Sequence, residues 1–127
     1  MLLNQPKRYI EGQFVPVRIN GQRHADADLL MPLPVRLARS LGAGRILAVD
    51  ASADETQAPA GTEHWRAGDL RKRALTRPDA LAADLLLQPD IGYYTNISRE
   101  YRERSIAAGY RTTLAAAGRI KALFAAG

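Results

Sequence analysis

The hydrophobic positions change their period several times along the chain, and each change predicts a different element. Residues 14–28, FVPVRINGQRHADAD, alternate in character on both sides of Asn20 and Gly21, which is typical of a tight β-hairpin. PLPVRLARSLGAG follows, with apolar residues at helical spacing, Pro34 in the first turn and Gly42 or Gly44 as the stop. The pattern predicts a hairpin that leads into a short amphipathic helix.

Two apolar runs without alternation predict buried strands. They are RILAVDAS, residues 45–52, and DLLLQPD, residues 84–90, and such runs are typical of parallel strands that are covered on both faces. The polar stretch 54–65 predicts a surface loop, and a helix is expected over 69–76 that stops before Pro78. The order of elements indicates an α/β fold whose few strands form part of a larger sheet.

The last third of the chain predicts a long helix. Ser98 is placed to cap its N-terminus. One helical face carries the large apolar side chains, and we expect this face to pack against the sheet; it comprises Ile106, Tyr110, Leu114, Ala117, Ile120 and Phe124.

Composition indicates one compact domain over residues 1–127, with 46% hydrophobic and 24% charged residues. The chain has no cysteine, which excludes disulfides and thiolate sites and fits a cytoplasmic location. The N-terminus lacks the apolar segment of a signal peptide, and no run is long enough to span a membrane. We therefore expect a soluble protein, or one peripheral to a membrane.

The net charge of +5 raises the question of an anionic partner. Basic residues are dense in 66–77 and in 98–111, but acids interrupt both segments. Solvated helix faces are the simpler interpretation, and an anionic membrane surface is the stronger functional one. Neither segment matches a nucleic-acid-binding module, so nucleic-acid binding is not expected.

Several catalytic or ligand-binding motifs are excluded. Gly42 and Gly44 of LGAGRILAVD close a helix before a strand, the reverse of a dinucleotide-binding turn. His24 and His64 are isolated, so we expect no metal site and no cofactor. None of the four serines lies in a G-x-S-x-G elbow. No nucleophile is visible.

Asp26 and Asp28 are the remaining candidates for chemistry. Carboxylates at i and i+2 point to opposite sides of an extended chain, so a coupled pair requires the turn to bring them together. From spacing alone, either side chain could equally bond backbone N–H groups of the turn. Both interpretations stay open on the residues themselves.

The ordered segments resemble the C-terminal part of bacterial patatin-like phospholipases over nearly the whole chain. The resemblance rests on EGQFVPV, INGQRH, DAD, PLPVRLARSLGAG and RILAVDAS, then LLLQPDIGYY and SREYRERSIAAGYR. It implies part of a three-layer α/β/α sheet whose N-terminal half is missing. It also implies a lipid acyl hydrolase with a serine–aspartate dyad, in which Asp26 matches the general base.

The chain departs from the family at two points. Ala27 and Asp28 stand where the family has glycines after the aspartate, so Ala27 would be strained if the turn requires a positive φ, and Asp28 adds a second charge. The family's glycine-rich oxyanion loop and nucleophile serine are absent. We therefore expect a fragment that acts on lipid or acyl-ester substrates only with a complementing N-terminal half and is inactive alone. The alternative is a non-catalytic binding module for a lipid surface or a protein partner.

Overall fold

The computed structural model describes residues 17–24, 27–28, 30–93 and 98–125. Within them the chain is a mixture of helices and short strands, as the α/β prediction required. The elements are β1 (Val17–Ile19), β2 (Gln22–His24), α1 (Val35–Ser40), β3 (Leu47–Val49), α2 (Arg66–Ala82), β4 (Leu85–Leu87), α3 (Arg99–Ala115) and α4 (Ala117–Ala125), with single 3-10 turns at Glu55–Gln57 and Glu63–Trp65. Two sequence features used above, residues 11–16 and Asp26, lie outside the described residues.

The predicted hairpin is confirmed. β1 and β2 pair antiparallel through a two-residue turn, and Asn20 and Gly21 both have positive φ, of 50° and 75°. A turn of this hand matches the right-handed twist of the strands that it joins, and it favours Asn followed by Gly. The following helix, α1, is also where the sequence placed it, and Gly42 after its end has a φ of 96°.

The two apolar runs form a parallel pair, β3 and β4, in the register Leu47 with Leu85 through Val49 with Leu87. The core lies beside this pair: Leu33, Val35 and Ala48 are buried together, and Ile46, Ala80, Ala82, Ala83 and Leu86 pack against them. The expectation that β3 is covered on both faces is wrong at Val49, whose side chain is half-exposed. In the described part of the chain the sheet has two strands, and no described element covers Val49.

The second helix is longer than the sequence predicted. α2 runs from Arg66 to Ala82 and contains Pro78, which was expected to lie beyond its end. Proline removes one backbone hydrogen bond and disfavours a helical residue before it. The turn after Pro78 packs Ala80 and Ala82 onto the core and buries Asp79 against α1, and these tertiary contacts outweigh the local preference.

The C-terminal segment forms two helices instead of one, and its packing differs from the prediction. Ser98 caps α3 as expected, its hydroxyl accepting from the Tyr101 N–H at 3.0 Å. The helix breaks at Ala116, which is buried. The face predicted to meet the sheet is instead exposed at Ile106, Tyr110, Leu114 and Phe124. Small residues such as Ala108 are buried in its place.

None of the described helices is both long and apolar enough to cross a membrane.

Candidate functional site

The turn between β2 and α1 carries the aspartates singled out in the sequence. Asp26 lies outside the described residues, so its position in the site stays a prediction. Asp28 is described, and its Oδ2 accepts a hydrogen bond from Lys72 Nζ of α2 at 2.6 Å. Both side chains are 39% exposed, so this ion pair contributes little stability. It nevertheless joins the turn to α2.

Ala27, the residue before Asp28, contributes to the turn through its backbone. Its carbonyl accepts hydrogen bonds from the N–H groups of Leu30 at 2.9 Å and Met31 at 2.7 Å. These two bonds close a turn that leads towards α1.

The start of α1 is capped by a buried carboxylate from α2. Asp79 Oδ1 accepts from the Arg36 backbone N–H at 2.7 Å. Its Oδ2 accepts from Arg36 Nε at 3.2 Å and Nη2 at 3.1 Å. Asp79 is only 5% exposed, and the cap satisfies a helix N-terminus whose own N-cap, Pro34, provides no side-chain bond. Sequence reasoning missed this contact because the two residues are 43 apart.

The end of α1 is fixed to the start of β4 in a similar way. Asp84 Oδ2 accepts from Arg39 Nη2 and from the Ile46 N–H, both at 2.7 Å. Arg39 also donates to the carbonyls of Ala43 and Gly44. The bond from Arg39, followed by that from Ile46, lowers the pKa of Asp84. Two carboxylates therefore hold α1 at both ends beside the sheet.

Polar side chains also gather at the carboxyl ends of the two parallel strands, the usual place for a ligand site in α/β folds. Asp50 follows β3 and is buried. It accepts from the Ser52 N–H at 3.0 Å and from Gln88 Nε2 at 3.3 Å. Burial by itself raises the pKa of Asp50, but the bonds from Ser52 and Gln88, with Arg73 nearby, outweigh burial and lower it.

The contact between Asp50 and Ser52 does not amount to a catalytic dyad. A carboxylate that is already bonded on both oxygens, and whose pKa is lowered, is a weak base towards a hydroxyl. Ser52 also lies in a local Asp-x-Ser turn without the glycines of a nucleophile elbow. This arrangement clamps the ends of β3 and β4 together, and the clamp is structural.

The loop after β3 is tied to α2 by further polar contacts. Arg73 donates to the carboxylate of Glu55 in this loop, and Tyr93, from the segment after β4, donates to Asp69 Oδ2 of the same helix at 2.5 Å. The bond to Asp69 raises the pKa of Tyr93. The stretch 54–65, expected to be a plain surface loop, is thus held in place by α2. Nothing in the sequence pattern marked Tyr93 for this contact.

The other serine hydroxyls are engaged in local bonds. Ser40 Oγ donates to the Leu37 carbonyl at 2.8 Å, and Ser105 Oγ donates to the Tyr101 carbonyl at 2.9 Å. Both bonds are helical back-bonds, and Ser98 serves as a cap. No described serine is therefore arranged as an activated nucleophile.

No three His, Asp or Glu side chains of the described residues are grouped so that they could hold an ion. His24 is exposed on the hairpin, and the ring of His64 lies 4.7 Å from that of Trp65.

The basic group of α2 divides into two kinds of residue. Lys72 and Arg73 have the structural partners described above. Arg66, Arg71 and Arg77 are exposed and form no ion pair with the residues that the structure describes. This group thus serves partly to attach the turn and the loop to α2.

A scan of the chain against models of known protein families finds no match. The site is accordingly defined by its own geometry: Asp28 is bonded to Lys72 of α2, and the helix that follows is held by two carboxylates beside a parallel pair of strands.

Proposed function

We propose that this chain is the C-terminal part of a patatin-like lipid acyl hydrolase domain, in which Asp26 is the general base. The serine and the oxyanion loop come from a complementing N-terminal half. The observation that carries the proposal is the anchoring of the segments around Asp26. Asp28, two residues on, is paired with Lys72, and α1 is capped by Asp79 from the same helix.

Anchoring on one helix supports a catalytic use of the turn because a general base must be held within hydrogen-bond reach of the group that it deprotonates. The Lys72 ammonium also lies 2.6 Å from the Asp28 carboxylate and offsets its negative charge. Asp26, two residues earlier, is the proposed proton acceptor.

The reaction follows from these roles. Asp26 takes the serine proton as the serine oxygen attacks the ester carbonyl, and the proton passes to the departing alcohol. An acyl-serine ester remains. Water then attacks this ester, its proton goes to Asp26, and the fatty acid leaves as the serine regains its proton. Neither step can start without the nucleophile, so the chain alone is expected to be inactive.

The proposal is tested by hydrolysis of a chromogenic fatty-acyl ester. The chain is assayed alone and together with an N-terminal half that carries the glycine-rich loop and the G-x-S-x-G serine, encoded upstream or taken from a patatin-like enzyme. We expect turnover only in the mixture and its loss in Asp26→Asn. Glu100→Gln, which removes an exposed carboxylate from α3, is the matched control and should leave turnover intact.

A second function, a non-catalytic binding module, is favoured by one observation. Large apolar side chains of α3 are exposed along one line of the helix. Such a surface is typical of proteins that dock on another molecule. A mixture without turnover, under conditions in which both halves bind each other, would favour this function over the hydrolase.

A further inference from the structure

The C-terminal helices carry a group of apolar side chains, which we call the C-terminal stripe. Ile106, Tyr110, Leu114 and Phe124 of this stripe are exposed, and Ile120 is half-buried. The first three follow each other at intervals of four residues, so they lie along one side of α3. They are 72%, 69% and 62% exposed. The opposite side of α3, which includes Ala108, is buried. The stripe therefore points away from the core.

The stripe is indented where α3 meets α4. The break at Ala116 leaves a groove of about 310 Å³ between the two helices, lined by Tyr110, Thr113, Leu114, Ala117, Ile120 and Lys121. Nearly all of its wall is contributed by carbon atoms, including those of the Lys121 side chain. Its chemistry suits a hydrocarbon group.

Positive charge predominates along most of the stripe. From Arg104 to Gly127 there are four cations, Arg104, Arg111, Arg119 and Lys121, and no Asp or Glu, while Glu103, one turn before Ile106, is paired with Arg99. The last three of the four cations are exposed and form no ion pair with described residues. An apolar helix face flanked by Arg and Lys, with an aromatic ring among its apolar residues, is the pattern of helices that lie in a membrane interface.

We propose that the C-terminal stripe docks on the surface of an anionic lipid bilayer. Its apolar side chains enter the boundary between head groups and acyl chains, and the four cations contact the acidic head groups. The cations beside the stripe favour an acidic surface over a second copy of the chain, because a second copy would bring the same cations close together. The proposal deepens the binding function above and does not depend on the hydrolase.

The test is co-sedimentation of the full chain with vesicles of phosphatidylcholine alone and with vesicles of equal parts phosphatidylcholine and phosphatidylglycerol. We expect binding to the anionic vesicles only. The triple variant Ile106→Ser/Tyr110→Ser/Leu114→Ser should weaken it at least tenfold. Arg111→Gln/Arg119→Gln/Lys121→Gln should weaken it by about fivefold per cation removed. All these positions are exposed, so unchanged circular dichroism is expected.

Two control variants distinguish binding through the stripe from nonspecific hydrophobic or electrostatic binding elsewhere on the protein. Leu41→Ser/Leu81→Ser removes exposed leucines elsewhere, and Arg45→Gln/Arg71→Gln/Arg77→Gln removes the same charge from other exposed positions. Both should bind within a few fold of the wild type. Equal binding to neutral vesicles, or equal losses in stripe and control variants, would overturn the proposal. So would stripe variants that lose only self-association or the contact with the N-terminal half. None of these readouts depends on ester hydrolysis.

Discussion

The cap that Asp79 places on α1 offers the sharpest test of how this fold is held together. Asp79→Ala leaves the Arg36 N–H at the helix start without its acceptor, and loss of an N-cap costs about 1 kcal/mol. The side chain is buried at 5% exposure, so the stranded N–H has poor access to water and roughly a further 1 kcal/mol is expected. The Arg36 side chain is 62% exposed, and its ion pair adds well under 1 kcal/mol. The expected loss is about 2 kcal/mol.

Urea unfolding followed by far-ultraviolet circular dichroism measures this loss, with an unchanged slope against urea. Asp79→Asn keeps an acceptor oxygen and should recover about half of the difference. Arg36→Ala keeps its own backbone N–H and so tests the guanidinium separately. A loss below about 0.5 kcal/mol in Asp79→Ala would refute the cap as a stabilising contact. If Arg36→Ala costs as much as Asp79→Ala, the ion pair and not the backbone cap is responsible.

Four further predictions follow from the structure. Gly21→Ala should lower the free energy of unfolding, measured by heat or urea, by about 1 kcal/mol. Gly21 has a φ of 75°, which disfavours any side chain, and a Cβ added there would meet no atom within 4 Å, so the loss reports the backbone alone. Asn20→Gly keeps the turn geometry and should change the stability little. The bonds from Arg39 and the Ile46 N–H lower the pKa of Asp84 in the folded protein below its ordinary value, so its contribution to stability is present above the ordinary value and is lost as pH falls through the folded value. Asp84→Asn should therefore reduce the loss of stability at acid pH, and an identical pH profile would contradict the assignment. Thr76 Oγ1 is buried without a partner in the described residues. Thr76→Val removes this unsatisfied hydroxyl, so it should raise the free energy of unfolding by about 1 kcal/mol. A lower free energy of unfolding would show that the hydroxyl is bonded. The core is small, and large side chains such as Leu41, Leu81 and Ile106 are exposed. We therefore expect the chain to be poorly stable or to self-associate. A monomer of ordinary stability in sedimentation and unfolding experiments would contradict this.

Local structure was largely predictable from the sequence because its signals are local. Asn20–Gly21 specifies its turn through backbone preferences alone. Pro34 and Gly42 bracket α1 in the same way. The parallel pairing of β3 with β4 could be inferred from the absence of alternation in both apolar runs. These features depend on a few neighbouring residues.

The packing of the elements against one another was not predictable in the same way. Periodicity correctly identified the face of α3 that carries Ile106, Tyr110 and Leu114, but it does not say whether that face meets the core or a different surface. The small-residue face with Ala108 was buried instead. Pro78 stays inside α2 because of contacts made by Asp79 with α1, and no local rule contains a partner 43 residues away.

In the candidate site, too, the sequence identified some residues and missed others. Asp26 and Asp28 were singled out by their turn and by the resemblance to patatin-like enzymes. The Lys72 partner of Asp28 was not, since it lies 44 residues along the chain. A cation on the neighbouring helix is the kind of feature that only tertiary structure reveals. It attaches Asp28 to α2, two residues after the candidate base Asp26.

The measurement that bears most directly on the central claim is ester hydrolysis by this chain mixed with the serine-bearing N-terminal half. We predict turnover that requires both polypeptides and disappears in Asp26→Asn, while Glu100→Gln retains it. Turnover that survives Asp26→Asn, or a mixture that associates and yet hydrolyses nothing, would contradict the assignment of Asp26 as the general base of an acyl hydrolase.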